Sequence, residues 1–421
     1  MQTNALSPDA RESQFGPLAI AFAAATLMAI TMGSRSSFGL FVSPLNTTTG
    51  LGLATISFAA ALNHLLWGIA QPFIGLAAER YGAARVIASG GLLLAAASAL
   101  LPWVQDAAQL VLALAVMALA GAAAGSNGLL LGEVGRRVPP ERQGVALGIV
   151  GAGGSVGQLL LAPAAQSTIA AAGWQAGLYG MAALAVLALP LAWAFRNPSR
   201  AGQELAPRDG PDGSLRAALG HPAFWCVAGG FFVCGFHVSF LIAHMPGVIA
   251  LCGLPEGLAG WWLALVGLCN VIGSIGAGYM IRRGSMRNTL MVLYALRALG
   301  VALFLVVPKT TAVMLIFACW MGLTYMATLP PTAGLVGRLF GLRHMATLFG
   351  VVMLMHQLGA FLGVWLGGIV VTLNGSYDWL WYADIALALV AVLIHLPVRE
   401  HPRGALPATA AAHPALTPAG A

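Results

Sequence analysis

The sequence predicts an all-α membrane protein: twelve transmembrane helices in two six-helix halves related by a pseudo-two-fold axis. Three observations carry that expectation: a charge-poor composition, twelve apolar runs of membrane-crossing length, and a parallel internal repeat. Of 421 residues, 59% are apolar and 8% charged, 20 basic and 13 acidic. A water-soluble domain carries about a quarter charged residues, so this chain cannot cover itself with an ordinary wet surface. Its mean hydropathy is +0.85 and its pI near 9.5. The basic residues sort by membrane side rather than gathering into a phosphate-binding patch, which excludes nucleic acid as the partner. The lipid bilayer is the partner this composition demands.

A crossing needs about 20 mostly apolar residues. Runs bounded by Arg, Pro and Gly-rich turns place the first six at 18–44, 53–78, 86–104, 108–132, 144–171 and 175–195. The second six fall at 223–250, 258–281, 288–307, 311–334, 345–371 and 379–397. The halves are therefore 17–196 and 222–399, joined by a Pro-, Gly- and charge-rich linker at 197–221. Residues 1–16 and 400–421 read as disordered tails. No short apolar run with a cleavage-like site precedes the first crossing, so no removable signal peptide is expected.

Seventeen of the 20 basic residues fall on the side that holds both termini, among them Arg80, Arg85, Arg136, Arg142, Arg282, Arg287, Arg338 and Arg399. The other side holds Lys309 alone, while Arg35 and Arg297 lie within crossings. That bias places both termini in the cytoplasm and supports an even number of crossings.

Adding 202 to a first-half position carries Gly33 to Gly235, Ser37 to Ser239, Phe38 to Phe240 and Pro44 to Pro246. It also carries Arg80 to Arg282, Gly82 to Gly284, Arg85 to Arg287, Arg136 to Arg338 and Gly157 to Gly359. Every crossing of the first half lands on one of the second, so the halves are a parallel duplication about an axis along the membrane normal.

Between crossings two and three runs Gly75-Leu-Ala-Ala-Glu79-Arg80-Tyr-Gly82-Ala-Ala-Arg85. With twelve helices, a cytoplasmic linker and the repeat, this loop resembles the Gly-x-x-x-Asp-Arg-x-Gly signature of the major facilitator superfamily, with Glu for Asp. The resemblance covers nearly the whole chain and implies a transporter working by alternating access, with this loop as a conformational element. Its acid is expected at a helix N-terminus of the other half. The second copy, around Arg282, Gly284 and Arg287, keeps the basic residues and lacks the acid.

In crossing five, Ala146-x-Gly148-x-x-x-Ala152-Gly153-x-x-x-Gly157 after Arg142 resembles the entry signature of the bacterial monocarboxylate-porter-like branch. Small residues at this spacing let two helix backbones approach closely, which is also the structural alternative to the family reading. The branch implies a multi-pass protein of the bacterial inner membrane. Two departures stand out. The acidic Gly/Trp opening of crossing one is replaced by Ile20-Ala-Phe-Ala-Ala. In crossing eight, Asn270 fits the branch's acid-or-amide position, but the Arg expected four residues later is Ser274. The Gly-Pro of drug antiporters is also absent from crossing five, where Gly157 is followed by Gln158.

Charges at bilayer depth are costly and mark function. By this superfamily's architecture, crossings one, four, seven and ten line the cavity. Arg35 lies about 26 Å along crossing one at roughly 1.5 Å per residue, which would put it in the outer third of the membrane. The repeat pairs it with His237, so the two are expected to face each other across the axis; snorkelling to the headgroups is the alternative for Arg35. His237 and His244 share a helix face, as proton carriers or as hydrogen-bonded core histidines. Asn127, Tyr325, Asn270 and His356 complete the candidate substrate-binding set. Asn63 with His64, and His356 with Gln357, are equally readable as interhelical glue. Glu133, with Arg136 behind it, is expected at the cytoplasmic gate. Arg297 and Asp384, at similar depth in crossings nine and twelve, are expected to pair with each other. The five cysteines show no ligand spacing, and no metal, cofactor or catalytic set is expected.

Arg35 and several histidines, with no carboxylate in the expected cavity, disfavour a cationic substrate and suit an anion held in a bidentate fork. The sequence reading is a monomeric secondary carrier, not an enzyme, that takes up a small organic anion, in first place a carboxylate, with protons. The alternatives are an exporter of a metabolite, siderophore or drug, and an uptake carrier for a larger aromatic or vitamin-like molecule.

Overall fold

In the bilayer a backbone must satisfy its own polar groups, and apolar runs of this length do so as helices. A computed structural model of the protein describes residues 16–196, 215–341 and 345–400, and among these only helices form. The expectations for residues 1–15, 197–214 and 401–421 lie outside the described residues.

The first half contains α1 (Pro17–Ser37), α2 (Gly39–Thr49), α3 (Leu53–Tyr81), α4 (Ala83–Leu100), α5 (Ala107–Gly125), α6 (Asn127–Arg137), α7 (Pro140–Val186) and α8 (Ala188–Ala192). The second contains α9 (Leu215–Gly220), α10 (Pro222–Leu251), α11 (Gly257–Arg283), α12 (Met286–Val306), α13 (Thr311–Tyr325), α14 (Leu329–Phe340), α15 (Met345–Asn374) and α16 (Asp378–His395). Eleven helical stretches among the described residues are long and apolar enough to cross a membrane. One of them, Val145–Phe195, has 51 residues, about twice what a crossing needs. Gly173, at φ +85°, breaks it into two, which is consistent with twelve crossings.

The offset of 202 holds at the helix ends and breaks. Crossing one ends at Thr49 and its counterpart α10 at Leu251; α3 ends at Tyr81 and α11 at Arg283. The turn at Gly173 recurs at Gly375, also at positive φ. Ser126 separates α5 from α6 and caps α6 by accepting the Leu129 N–H. The matching residue, Thr328, closes the 3-10 turn Met326–Thr328 between α13 and α14. The first crossing runs from Pro17 to Thr49, longer than expected, so Arg35 sits near its midpoint rather than in the outer third. The expected linker also differs: its last residues form α9, whose Ala218 is buried in the core of the second half.

Each half is built on a close helix pair, α1 with α7 and α10 with α15. Gly153 and Gly157 bring α7 onto the backbone of Ala25 and Ala29, and Gly359 and Gly363 bring α15 onto that of Phe232 and Phe236. The small-residue pattern of crossing five is thus a packing seam within its own half. A Gly157→Leu side chain would run into the Ala29 carbonyl. It is expected to cost about 1–3 kcal/mol of stability, read as a lower melting temperature in detergent.

The halves meet through α3 against α15 and α7 against α11. Contact runs from Gly68 against Gln357 and Gly267 against Ser155 to one end. There Gly368 packs on Ser57, Gly260 on Gln166 and Gly39 on Ile242 and Ala243, within one apolar core that draws on both halves. At the end carrying Arg80, Arg136 and Arg338 (the basic end), the cores are separate, one within each half. Further along the same faces of the four meeting helices, Gly75, Gly148, Gly151, Gly278 and Gly350 have nothing within 4 Å of where a Cβ would stand. The molecule is closed at one end and parted at the basic end.

Candidate functional site

Where the parted cleft meets the closed end, side chains from both halves converge on Arg35. Its Nη2 donates to His64 Nδ1 at 2.6 Å and to Gln357 Oε1 at 3.4 Å. The guanidinium carbon lies 4.8 Å from the centre of the Trp67 ring. An Arg donates only, so His64 accepts at Nδ1 and carries its proton on Nε2. Arg35 therefore joins α1 and α3 of one half to α15 of the other. No carboxylate pairs with it among the described residues, and its Nε is buried without a partner. The Tyr325 side chain is an electrostatic neighbour of the guanidinium.

Other buried polar atoms are likewise unsatisfied. Asn270 is 1% exposed, and neither its Nδ2 nor its Oδ1 has a partner. Nor do Gln158 Nε2 and Trp262 Nε1. Gln158 packs on Gly267 of α11, one turn from Asn270. Leaving a buried donor unmade costs about 1–3 kcal/mol. Several such atoms lie on helices that meet between the halves, as does a guanidinium with no carboxylate partner among the described residues. Asn127 opens α6, beside Gly128, which sits against Gln71 of α3, about two turns from His64 toward the basic end.

Several expected site residues lie elsewhere. His237 and Arg35 do not face each other: His237 turns away from the axis, its Nδ1 2.5 Å from Asp384 Oδ2 and its Nε2 3.2 Å from Met321 Sδ. A buried carboxylate outweighs the symmetry of the repeat. His244 bonds the Val364 carbonyl at 2.8 Å and the Tyr377 hydroxyl at 3.3 Å, a packing role between α10, α15 and α16. His356 lies against Phe231, ring centres 4.8 Å apart and planes tilted by 45°, but its Nδ1 is buried without a partner and it is an electrostatic neighbour of His64, so it stays beside the site. Asn63 donates to the Leu114 carbonyl at 2.7 Å, which is glue between α3 and α5.

The expected Arg297–Asp384 pair is not formed. Asp384 takes His237. Arg297, 1% exposed, donates from Nη2 to the carbonyls of Thr324 at 2.5 Å and Tyr325 at 2.8 Å, and to Thr328 Oγ1 at 3.4 Å. Those carbonyls lie where α13 breaks, and the Tyr325 carbonyl also accepts the Thr328 hydroxyl at 3.1 Å.

At the basic end, Glu133 pairs with Arg136 and Arg137 of its own helix, and Arg137 reaches the Phe195 carbonyl at 3.2 Å. These contacts lie within one half. Glu79, Arg80 and Arg85 are exposed, and Gly82, at φ +89°, makes the turn from α3 to α4. No hydrogen bond or ion pair reaches Glu79 among the described residues, so the expected contact with the other half is not made in this parted state.

The acid missing from the second loop comes from elsewhere. Glu400 accepts from Ser285 Oγ at 2.7 Å and from the Arg287 N–H at 2.6 Å, and Arg338 Nη1 donates to it at 3.0 Å. A carboxylate at the N-terminus of α12 meets the positive end of the helix dipole. Glu400 was expected in the disordered tail; the signal for it was an acid straight after the last crossing, in a half whose loop has none. Glu400→Ala is expected to cost about 1–2 kcal/mol, read as a lower melting temperature and faster proteolysis of the C-terminal segment. Gln158 was the other omission, legible as an amide in the middle of a glycine-lined crossing.

A two-halved helical bundle, parted at one end and holding a half-buried cation with no carboxylate partner among the described residues, has the form of a membrane carrier. The family model of the Major Facilitator Superfamily matches residues 24–256 and 230–420, and the chain belongs to that superfamily. It is similar to the uncharacterized MFS-type transporter YcxA of Bacillus subtilis (strain 168), 23% identical over 83% of this chain and 88% of that one. It is 24% identical to the oxalate:formate antiporter of Oxalobacter formigenes over 67% of each. It is 25% identical to monocarboxylate transporter 11 of Mus musculus over 85% of this chain and 82% of that one. These support the resemblance to monocarboxylate porters. In fold it resembles a bacterial homologue of the lysosomal transporter Spinster, solved inward-facing and occupied, at TM-score 0.71 and 14% identity over 89% of this chain and 95% of that one.

Proposed function

We propose that the protein carries a small organic anion, a carboxylate, across the bacterial inner membrane by alternating access, with proton-coupled uptake as its mode. The observation that carries this reading is Arg35: a half-buried guanidinium between the halves, with no carboxylate opposite it among the described residues and a buried, unpartnered Nε. An anion supplies the missing charge and accepts in a fork, which adds geometry to attraction. Asn270 and Gln158 offer unpartnered donors for the remainder of a small polar molecule. The names of two relatives, an oxalate:formate antiporter and a monocarboxylate transporter, agree with that class.

Both termini are assigned to the cytoplasm from the basic bias. With that orientation the structure is the inward-facing state, and rocking of the halves about the central site would close the basic end. Glu79 and Arg80 on one half, and the Arg282–Arg287 loop on the other, are then the elements that meet on closure.

The test is uptake into proteoliposomes of radiolabelled lactate, formate and oxalate under an inward proton gradient. Accumulation of at least one of them, abolished by collapsing the gradient, supports the reading. Accumulation of a cationic amine in place of all three would sink it. Exchange that proceeds equally with and without the gradient would replace symport by antiport and leave the anion class standing.

A further inference from the structure

We propose that His237 and Asp384 form one proton-binding site set behind the substrate cavity, and that the break between α13 and α14 carries its protonation state to the cavity wall. The inference rests on the proton-coupled reading above.

The two side chains are buried, 2% and 1% exposed, and 2.5 Å apart between α10 and α16. Asp384 is the one buried aspartate among the described residues, since Asp106 and Asp378 are exposed. Its Oδ1 has no partner, so the carboxylate is stabilised on one side only. Charged and titratable groups surround the pair on every packed element. α12 contributes Arg297 and Tyr294, α10 Cys234, α13 Tyr325 and α15 His356. Tyr294 gives its hydroxyl proton to the Gly230 carbonyl at 2.6 Å, and Cys234 lies 3.3 Å from Thr328 Oγ1. Arg297 is the permanent cation, and its Nε and Nη1 are unpartnered.

Asp384 is one of the electrostatic partners of Arg297 in this cluster. One added proton, shared across the short His237–Asp384 contact, neutralises the carboxylate and leaves Arg297 to the Thr324 and Tyr325 carbonyls and Thr328. Those groups are the break itself, and Tyr325 is the electrostatic neighbour of Arg35. His237 also lines a small cavity with Trp262, Met321 and Tyr325, and Met321 is in contact with it. The path from proton to anion is thus Asp384 and His237, then Arg297 and Met321, then Tyr325, then Arg35. A purely structural pair would hold α10 to α16 and have no reason to neighbour the break between α13 and α14.

The full-length protein in proteoliposomes tests this with oxalate and lactate as probes, in wild type, Asp384→Asn and His237→Gln. Two transport modes are compared: accumulation driven by a proton gradient, and exchange at equal pH with the same anion on both sides. Both variants are expected to lose accumulation by at least about tenfold while exchange stays within about threefold. Accumulation equal to wild type, or a parallel loss of both modes, overturns the proposal.

Infrared difference spectra of isotope-labelled aspartate between about pH 5 and pH 8 provide a readout independent of transport. A buried aspartate carboxyl that titrates in wild type, vanishes in Asp384→Asn and shifts in His237→Gln supports the site. The absence of any such band overturns it. If wild type accumulates neither anion, the proton-coupled reading fails on its own, and the spectra still decide whether the pair binds a proton.

Discussion

An Arg35→Ala protein is expected to fold, insert and melt within a few degrees of wild type, yet transport carboxylate at least about 100-fold more slowly. Truncating one partner of a buried charge pair costs about 2–5 kcal/mol, and each 1.4 kcal/mol is tenfold. The structural ties of Arg35 are modest, namely His64, Gln357 and the Trp67 face, so the loss falls on the occupant rather than on the fold. Arg35→Lys keeps the charge and loses the planar fork, and is expected to recover only part of the rate. Initial rates of uptake at sub-saturating anion measure both. A rate within about threefold of wild type for Arg35→Ala would remove Arg35 from the site.

Replacing Arg297 has the opposite profile, a large loss of stability. Arg297→Met keeps most of the volume but removes the guanidinium donor from the Thr324 and Tyr325 carbonyls at the break, Tyr325 keeping the Thr328 hydroxyl. It also leaves Asp384 without the nearby cation. Breaking a buried charged set by removing one member costs about 3–5 kcal/mol. The expected result is poor yield and a clearly lower melting temperature in detergent. Adding Asp384→Asn removes the orphaned charge, so the double variant is expected to melt above Arg297→Met alone; strict additivity of the two changes would deny the coupling.

Both predictions turn on which parts of the molecule the sequence could specify. The crossings and their pairing by the repeat follow from hydrophobic length and from glycine and proline placement, which act locally; the breaks near Ser126 and Thr328 were not read from the sequence. Arg35 was legible because a charge at bilayer depth demands a reason. Its partners were not: His64 and Gln357 lie on other helices, and either could have been glue, as Asn63 is. The repeat misled at His237, because symmetry in sequence does not dictate where a side chain turns when Asp384 offers a charged partner on one side only. The same local preference separated Arg297 from Asp384, since broken-helix carbonyls at hydrogen-bond distance outweigh a more remote acid. Glu400 stayed hidden because capping across more than 100 residues of chain leaves no periodic trace.

Ligand binding by the purified protein goes straight to the central assignment, an anion held by Arg35 between the halves. Thermal melts of wild type and Arg35→Ala are recorded with lactate, formate, oxalate, an uncharged amide analogue and a cationic amine. A ligand that binds only the folded state raises its stability by mass action, about 2.7 kcal/mol at 100 times its Kd. The expected result is that at least one carboxylate, but neither the amide nor the amine, raises the melting temperature of wild type, with no shift in Arg35→Ala. Equal stabilisation of the two proteins, or stabilisation of wild type by the amine alone, would contradict it.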